Sequence, residues 1–184
     1  MRNNALRQMV ISAMLCGIGF AIPIYSPIKI IIEPASFTLG AHVAIFIGAF
    51  ISPAVAAAVA LGTTLGFVLS GLPHIIALRA ATHVIFAVLA ALLLKKWPRI
   101  LKSPALTGAF SLGIGIIHAV CEVTAVTLFY IITGGAPAQG YARSVLLLLG
   151  VGTVIHSIVD FGIALVVWKA LMLASRSERI RANA

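Results

Sequence analysis

The chain has 184 residues, of which 61% are hydrophobic and only 9% charged, and its net charge is +9. A soluble domain carries about 25% charged residues, so a water-clothed globule is excluded, and the length leaves no room for a large extramembrane domain such as an ATPase. The positive balance is not a nucleic-acid footprint, because the basic residues stand at the ends of apolar runs, where they orient a chain in a bilayer.

The first predicted span covers residues 8–25, behind Arg2 and Arg7. No small-residue cleavage site precedes Ser26-Pro27 and five apolar runs follow, so this is read as a retained span and not a leader. Ala13 and Gly17 lie four apart on it, with Ala21 continuing the face. Small residues at that spacing let a second backbone approach closely, within the bundle or from a partner.

The second predicted span, residues 37–51, would reach only about 22 Å against about 30 Å of hydrocarbon. The stretch before it is apolar through Ile28, Ile30, Ile31 and Ile32, broken by Pro27 and Pro34, and carries Lys29 and Glu33. That composition favours a loop packed down over the bundle; the plainer alternative is a surface loop with exposed isoleucines. The third span follows at Ser52-Pro53 and ends near Leu72-Pro73, with Gly62 and Gly66 forming a GxxxG read as packing within the bundle. The fourth, fifth and sixth spans cover residues 74–94, 104–133 and 144–172. Cys16 and Cys121 fall inside apolar runs and are read as small buried residues with no disulfide between them.

The fold class is therefore an all-α polytopic membrane protein of six transmembrane helices, a single domain over residues 1–184. Arg2, Arg7, Lys95, Lys96, Arg99, Lys102, Lys169, Arg176, Arg179 and Arg181 fall on one side, against Lys29 and Arg143 on the other. The asymmetry places both termini in the cytoplasm of a multi-pass plasma-membrane protein, and Trp97 and Trp168 land at the same interface.

Ionisable residues inside spans are functional candidates by default. They come in pairs four apart: Arg79 with His83, His118 with Glu122, and His156 with Asp160, each pair on one helix face. His42 lies in the second span. Equal-depth arithmetic around the loop near Gln139 sets His118 opposite Asp160 and Glu122 opposite His156. This predicts a two-rung histidine–carboxylate ladder, mainly structural. Arg79, about one turn from the outer end of its helix, either binds an anionic ligand, with a small carboxylic acid the natural choice, or pairs with Glu122. No Walker A, HExxH or GxSxG motif occurs, so no enzyme is expected. The histidines and carboxylates form no compact ligand cluster in sequence, so no metal is expected.

These features resemble, over nearly the whole chain, the substrate-binding membrane subunits (S components) of energy-coupling factor (ECF) vitamin transporters. The likeness rests on size, six spans, inside termini, the Ala13/Gly17 face, and the stretch FTLGAHVAIFIGAFISPAVAAAVALGTTLGFVLSG followed by HIIALRAATHVIFA. It is greatest to the pantothenate and niacin branch.

The resemblance implies high-affinity capture of a vitamin on the outer side. It also implies association with a transmembrane coupling subunit and two cytoplasmic ABC ATPases, which would hold ATP and Mg while this chain holds no cofactor. Delivery inward by toppling in the membrane is implied too. It assigns Ala13 and Gly17 to the coupling-subunit interface, and Arg79, His83, His42, Glu122 and Tyr130 to substrate binding. The chain begins Met1-Arg2 and lacks the Met-His start of metal-specific relatives. The polar set is richer than nicotinate requires, which favours pantothenate, with nicotinate or another vitamin as the alternative. A reading from another class is a self-sufficient proton-coupled carrier that uses the histidine–carboxylate pairs as its relay.

Overall fold

A computed structural model describes residues 2–182, with side chains described for residues 4–175. Arg2, Arg176, Arg179 and Arg181, used above for orientation, have side chains outside that range. The elements in chain order are α1 (Arg2–Tyr25), a hairpin of β1 (Lys29–Ile32) and β2 (Ala35–Thr38), α2 (Val43–Ile51), α3 (Pro53–Leu69), α4 (His74–Lys96), a 3-10 turn at Ile100–Lys102, α5 (Pro104–Thr133), a π-helical segment Ala142–Val151, and α6 (Gly152–Ala182).

Local sequence explains the boundaries. Ser-Pro opens two helices: Ser52 Oγ accepts from the Val55 N–H (3.3 Å) ahead of Pro53, and Ser103 Oγ accepts from the Leu106 N–H (3.5 Å) ahead of Pro104. A serine cap satisfies an orphan N–H, and a proline in the first turn gives up one that had no partner. Gly134, at φ 67°, closes α5 in the left-handed conformation.

Four stretches are long and apolar enough to cross a membrane: Asn4–Tyr25, His74–Lys96, Pro104–Thr133 and Ala142–Ser175. The exterior and interior are inverted relative to a soluble protein. Leu61, Leu65, Ile85, Val120 and Ile155 are exposed, whereas Arg79, Glu122 and Asp160 are buried. An apolar coat over a charged interior needs lipid around it, and the chain is an all-α, multi-pass membrane protein.

The second element departs from expectation. Its helix starts at Val43, not at residue 37, because residues 35–38 pair antiparallel with 29–32, from Lys29 opposite Thr38 to Ile32 opposite Ala35. The packed-loop reading holds for one strand of the hairpin. Ala35 and Thr38 on β2 are buried, but Ile30, Ile31 and Ile32 on β1 are exposed. The sixth helix is longer than the predicted 144–172, since the π-helical segment runs into α6.

Small residues set the helix contacts. Gly62 and Gly66 pack α3 onto α1, where an added Cβ would collide with Cys16 Sγ and would lie 2.8 Å from Phe20 Cδ2 respectively. The opposite holds for Ala13 and Gly17. Both are exposed, and a Cβ on Gly17 would meet nothing within 4 Å. That face is turned away from the bundle.

The two ends differ. Ser52 Oγ meets Gln8 Oε1 (3.3 Å), and the same end carries Lys95, Leu101, Lys102 and Lys169. This is the basic end; the hairpin lies at the other. Between them stands a column of aromatic rings. Phe86 meets Phe46 (centroids 5.5 Å), Phe46 meets Phe161 (5.3 Å), Phe161 meets Phe110 (5.7 Å) and Phe50 (5.8 Å), and Phe50 meets Trp168 (5.6 Å).

Candidate functional site

Above the aromatic column four elements aim polar side chains at one point. α4 supplies Arg79 and His83, and α5 supplies His118 and Glu122. α6 supplies Thr153, His156 and Asp160, and the turn between β2 and α2 supplies His42 and the backbone N–H of Gly40. Spacing of four residues keeps each pair on the inner face of its helix.

Glu122 is one hub. Its Oε2 accepts from Arg79 Nη2 (2.9 Å) and from Thr153 Oγ1 (2.6 Å), and its Oε1 faces His83 Nε2 (3.2 Å) and His118 Nε2 (3.4 Å). Arg79 also donates through Nη1 to the Pro34 carbonyl (2.8 Å) and reaches Ser36 Oγ (3.4 Å), which ties the hairpin to α4. Asp160 is the second hub. It accepts from the backbone N–H of Gly40 (2.8 Å) and of His42 (2.9 Å), and it faces His42 Nδ1 (3.0 Å) and His156 Nε2 (3.4 Å). A buried carboxylate thus satisfies the irregular backbone that leads into the short helix α2, which is how such backbone survives inside a membrane protein.

The predicted cross-helix ladder is not made. His118 lies against Glu122 of its own helix and His156 against Asp160 of its own, while the carboxylates take their other partners from α4, Thr153 and the 40–42 turn. Equal depth placed the residues at one level. It carried no information about which way each helix is rotated, nor about the turn that inserts His42 between them.

His42 occupies the centre. Its ring centroid lies 4.6 Å from that of His83, 4.7 Å from His118 and 4.9 Å from His156, edge to face each time, and His83 lies 4.8 Å from His118. The expectation of no compact ligand cluster is corrected here. His42, His83 and His118 each bring a donor atom within 4.8 Å of the others, as do His42, His156 and Asp160. Residues scattered over more than a hundred positions are gathered by the fold.

A cavity of about 20 Å³ lies among Ser36, His42, Arg79, His83, His118 and Glu122, enough for about one water. Several polar atoms are buried without a partner among the described residues here: Arg79 Nε, His83 Nδ1 and His118 Nδ1. Four of the five predicted binding residues, Arg79, His83, His42 and Glu122, line this cavity. Tyr130 is not among its lining residues. It packs beside Phe129 (centroids 5.8 Å) in the apolar cluster that holds Ala35 and Phe37. Sequence reasoning missed Thr153, Ser36 and Thr38. Thr153, three residues before His156 on the same face, was legible in principle; the hairpin residues were not.

No family profile matches the chain, and no solved structure does. Over 160 residues, 87% of this chain and 72% of the relative, it is 40% identical to a protein of Lactococcus lactis subsp. cremoris (strain MG1363) named niacin transporter NiaX.

Proposed function

The chain belongs to the substrate-binding S components of ECF vitamin transporters, and we propose that its own substrate is nicotinate, captured in the histidine-lined cavity. The observation that carries this reading is the 40% identity to a niacin transporter across most of both chains. It is a vitamin transport protein of the membrane and not an enzyme.

The site chemistry supports the choice of vitamin. Pantothenate was favoured because the polar residues outnumber what nicotinate needs, but those residues are spent on one another: Glu122 on Arg79, His83 and Thr153, and Asp160 on His42. What remains is a ring of imidazole edges and the Nη1 of Arg79, now on the hairpin, suited to a flat aromatic acid. Nicotinate is larger than the present cavity, so binding requires the hairpin to lift. Lifting breaks the bonds from Arg79 Nη1 to Pro34 and Ser36 and frees that nitrogen for a carboxylate.

In this reading the chain crosses the membrane six times with both termini cytoplasmic, and the hairpin end faces outward. The exposed Ala13/Gly17 face of α1 meets the transmembrane coupling subunit. Two ABC ATPases in the same assembly bind ATP and Mg.

The test is equilibrium binding to the purified chain in detergent, titrated in parallel with nicotinate and pantothenate. Tight binding of nicotinate without partners or nucleotide, and none of pantothenate, is the expected result; the reverse pattern overturns the choice. Arg79→Lys keeps the charge but loses the planar fork. It should weaken nicotinate binding by about 1.5–3 kcal/mol, the range for a charge-assisted contact. Unchanged affinity would reduce Arg79 to the partner of Glu122.

A further inference from the structure

We infer that His42, His83 and His118 form a binding site for one divalent first-row transition-metal ion, and that this ion supplies the positive charge against which an anionic substrate docks; the second half rests on the nicotinate reading.

Geometry comes first. The three rings form a nearly equilateral triangle, with centroids 4.6, 4.7 and 4.8 Å apart and planes crossed at 76–88°. Their donor nitrogens lie within 4.8 Å of one another. Three imidazoles around one point, with a fourth position open to a cavity, is the arrangement of an open three-histidine site. Imidazole donors suit zinc, copper, iron and nickel over magnesium or calcium.

The lone pairs point the same way. A carboxylate only accepts, so a neutral ring must present its N–H to it. His42 presents Nδ1 to Asp160 and His83 presents Nε2 to Glu122. His42 Nε2 and His83 Nδ1 are then bare lone pairs. His83 Nδ1 is buried without a partner, and so is His118 Nδ1, whose ring turns its Nε2 toward Glu122 Oε1 at 3.4 Å. A lone pair sealed in an apolar bundle without a partner is costly. A carboxylate bound behind a histidine is also the support that metal-ligating histidines normally have, fixing the tautomer and the ring direction.

Charge balance supplies the second half. With neutral imidazoles the site holds one guanidinium, Arg79, against two carboxylates, Glu122 and Asp160, all three nearly without solvent. It carries one negative charge in excess. An anionic acid entering it would make two, in a setting where uncompensated charge is expensive. A divalent ion reverses the sign to one positive, and a monocarboxylate then brings the cavity to neutrality.

The chain, purified in detergent and stripped with EDTA, is titrated with Co²⁺ in the absence of nicotinate. One equivalent should bind, with the visible absorption of low-coordinate cobalt, and Zn²⁺ should displace it. Asp160→Asn, which leaves every ligand in place, should weaken cobalt binding by about 10–100-fold, and His118→Gln should abolish the spectrum. No stoichiometric cobalt binding, or a spectrum indifferent to both variants, overturns the metal site. Nicotinate is then titrated into stripped and zinc-loaded protein. Affinity at least about tenfold higher in the loaded form, within the usual range of coupling between two ligands, is expected. Equal affinities would overturn the counter-charge role and leave nicotinate capture standing. Failure of nicotinate to bind either form would overturn the substrate reading, while the cobalt spectrum still reports on the metal.

Discussion

A guanidinium and a carboxylate inside an apolar bundle are each costly alone and tolerable only together. Arg79 and Glu122 stand 2.9 Å apart, at 4% and 2% exposure. Removing either one strands the other, which typically costs about 3–5 kcal/mol. Thermal unfolding in detergent should therefore show Arg79→Met and Glu122→Met each strongly destabilised, with the double variant more stable than either. Additive losses would mean that Thr153 and His83 alone suffice to hold the carboxylate. At this scale much of the site is legible in the sequence. Charged residues in apolar runs are rare, and the i,i+4 spacing names Arg79, His83, His118, Glu122, His156 and Asp160 before any coordinates exist. Their pairing is not legible, because it depends on helix rotation and on His42, whose position is set by two backbone N–H bonds to Asp160.

Among elements, the hairpin exposes one strand, β1, and buries the other over the site. Its β2 strand closes the cavity, and Phe37 lies over Gly152 at the junction of the π-helical segment and α6, where an added Cβ would come 2.5 Å from the ring. Gly152→Ala should therefore push Phe37 outward and loosen the hairpin, read as faster proteolysis or higher spin-label mobility at residues 29–38. Unaltered mobility would show that the hairpin is held by Arg79 and the bonds to Asp160 alone. The α1 faces allow a paired comparison. Gly66→Leu should lower the melting temperature, because Phe20 fills the space. Gly17→Leu should leave melting and nicotinate binding intact while impairing co-purification with a coupling subunit. The GxxxG contact is visible in sequence because small residues at that spacing have few other uses. The hairpin is not: proline-broken apolar sequence reads as a loop, and only the covering of a polar cavity by β2 tells which strand turns inward.

At the scale of the whole molecule, the described residues between the hairpin end and the basic end are dominated by aromatic rings and not by a polar passage. The rings from Phe86 to Trp168 fill the bundle's axis, and the buried hydroxyls of Ser111 and Ser157 are isolated within it. The chain alone in sealed vesicles should accordingly show no uptake of nicotinate under either a substrate or a pH gradient. Uptake under a pH gradient would instead establish the self-sufficient carrier. The aromatic column also governs time. A solute seated above a sealed floor can leave only by the mouth through which it entered, so its dwell time is set by how often the hairpin opens and hardly by how strongly the floor attracts it. Release on the far side then requires that the mouth itself be presented there. On the proposed reading the molecule is a cup filled and emptied through one mouth, with the ring column from Phe86 to Trp168 as its closed base.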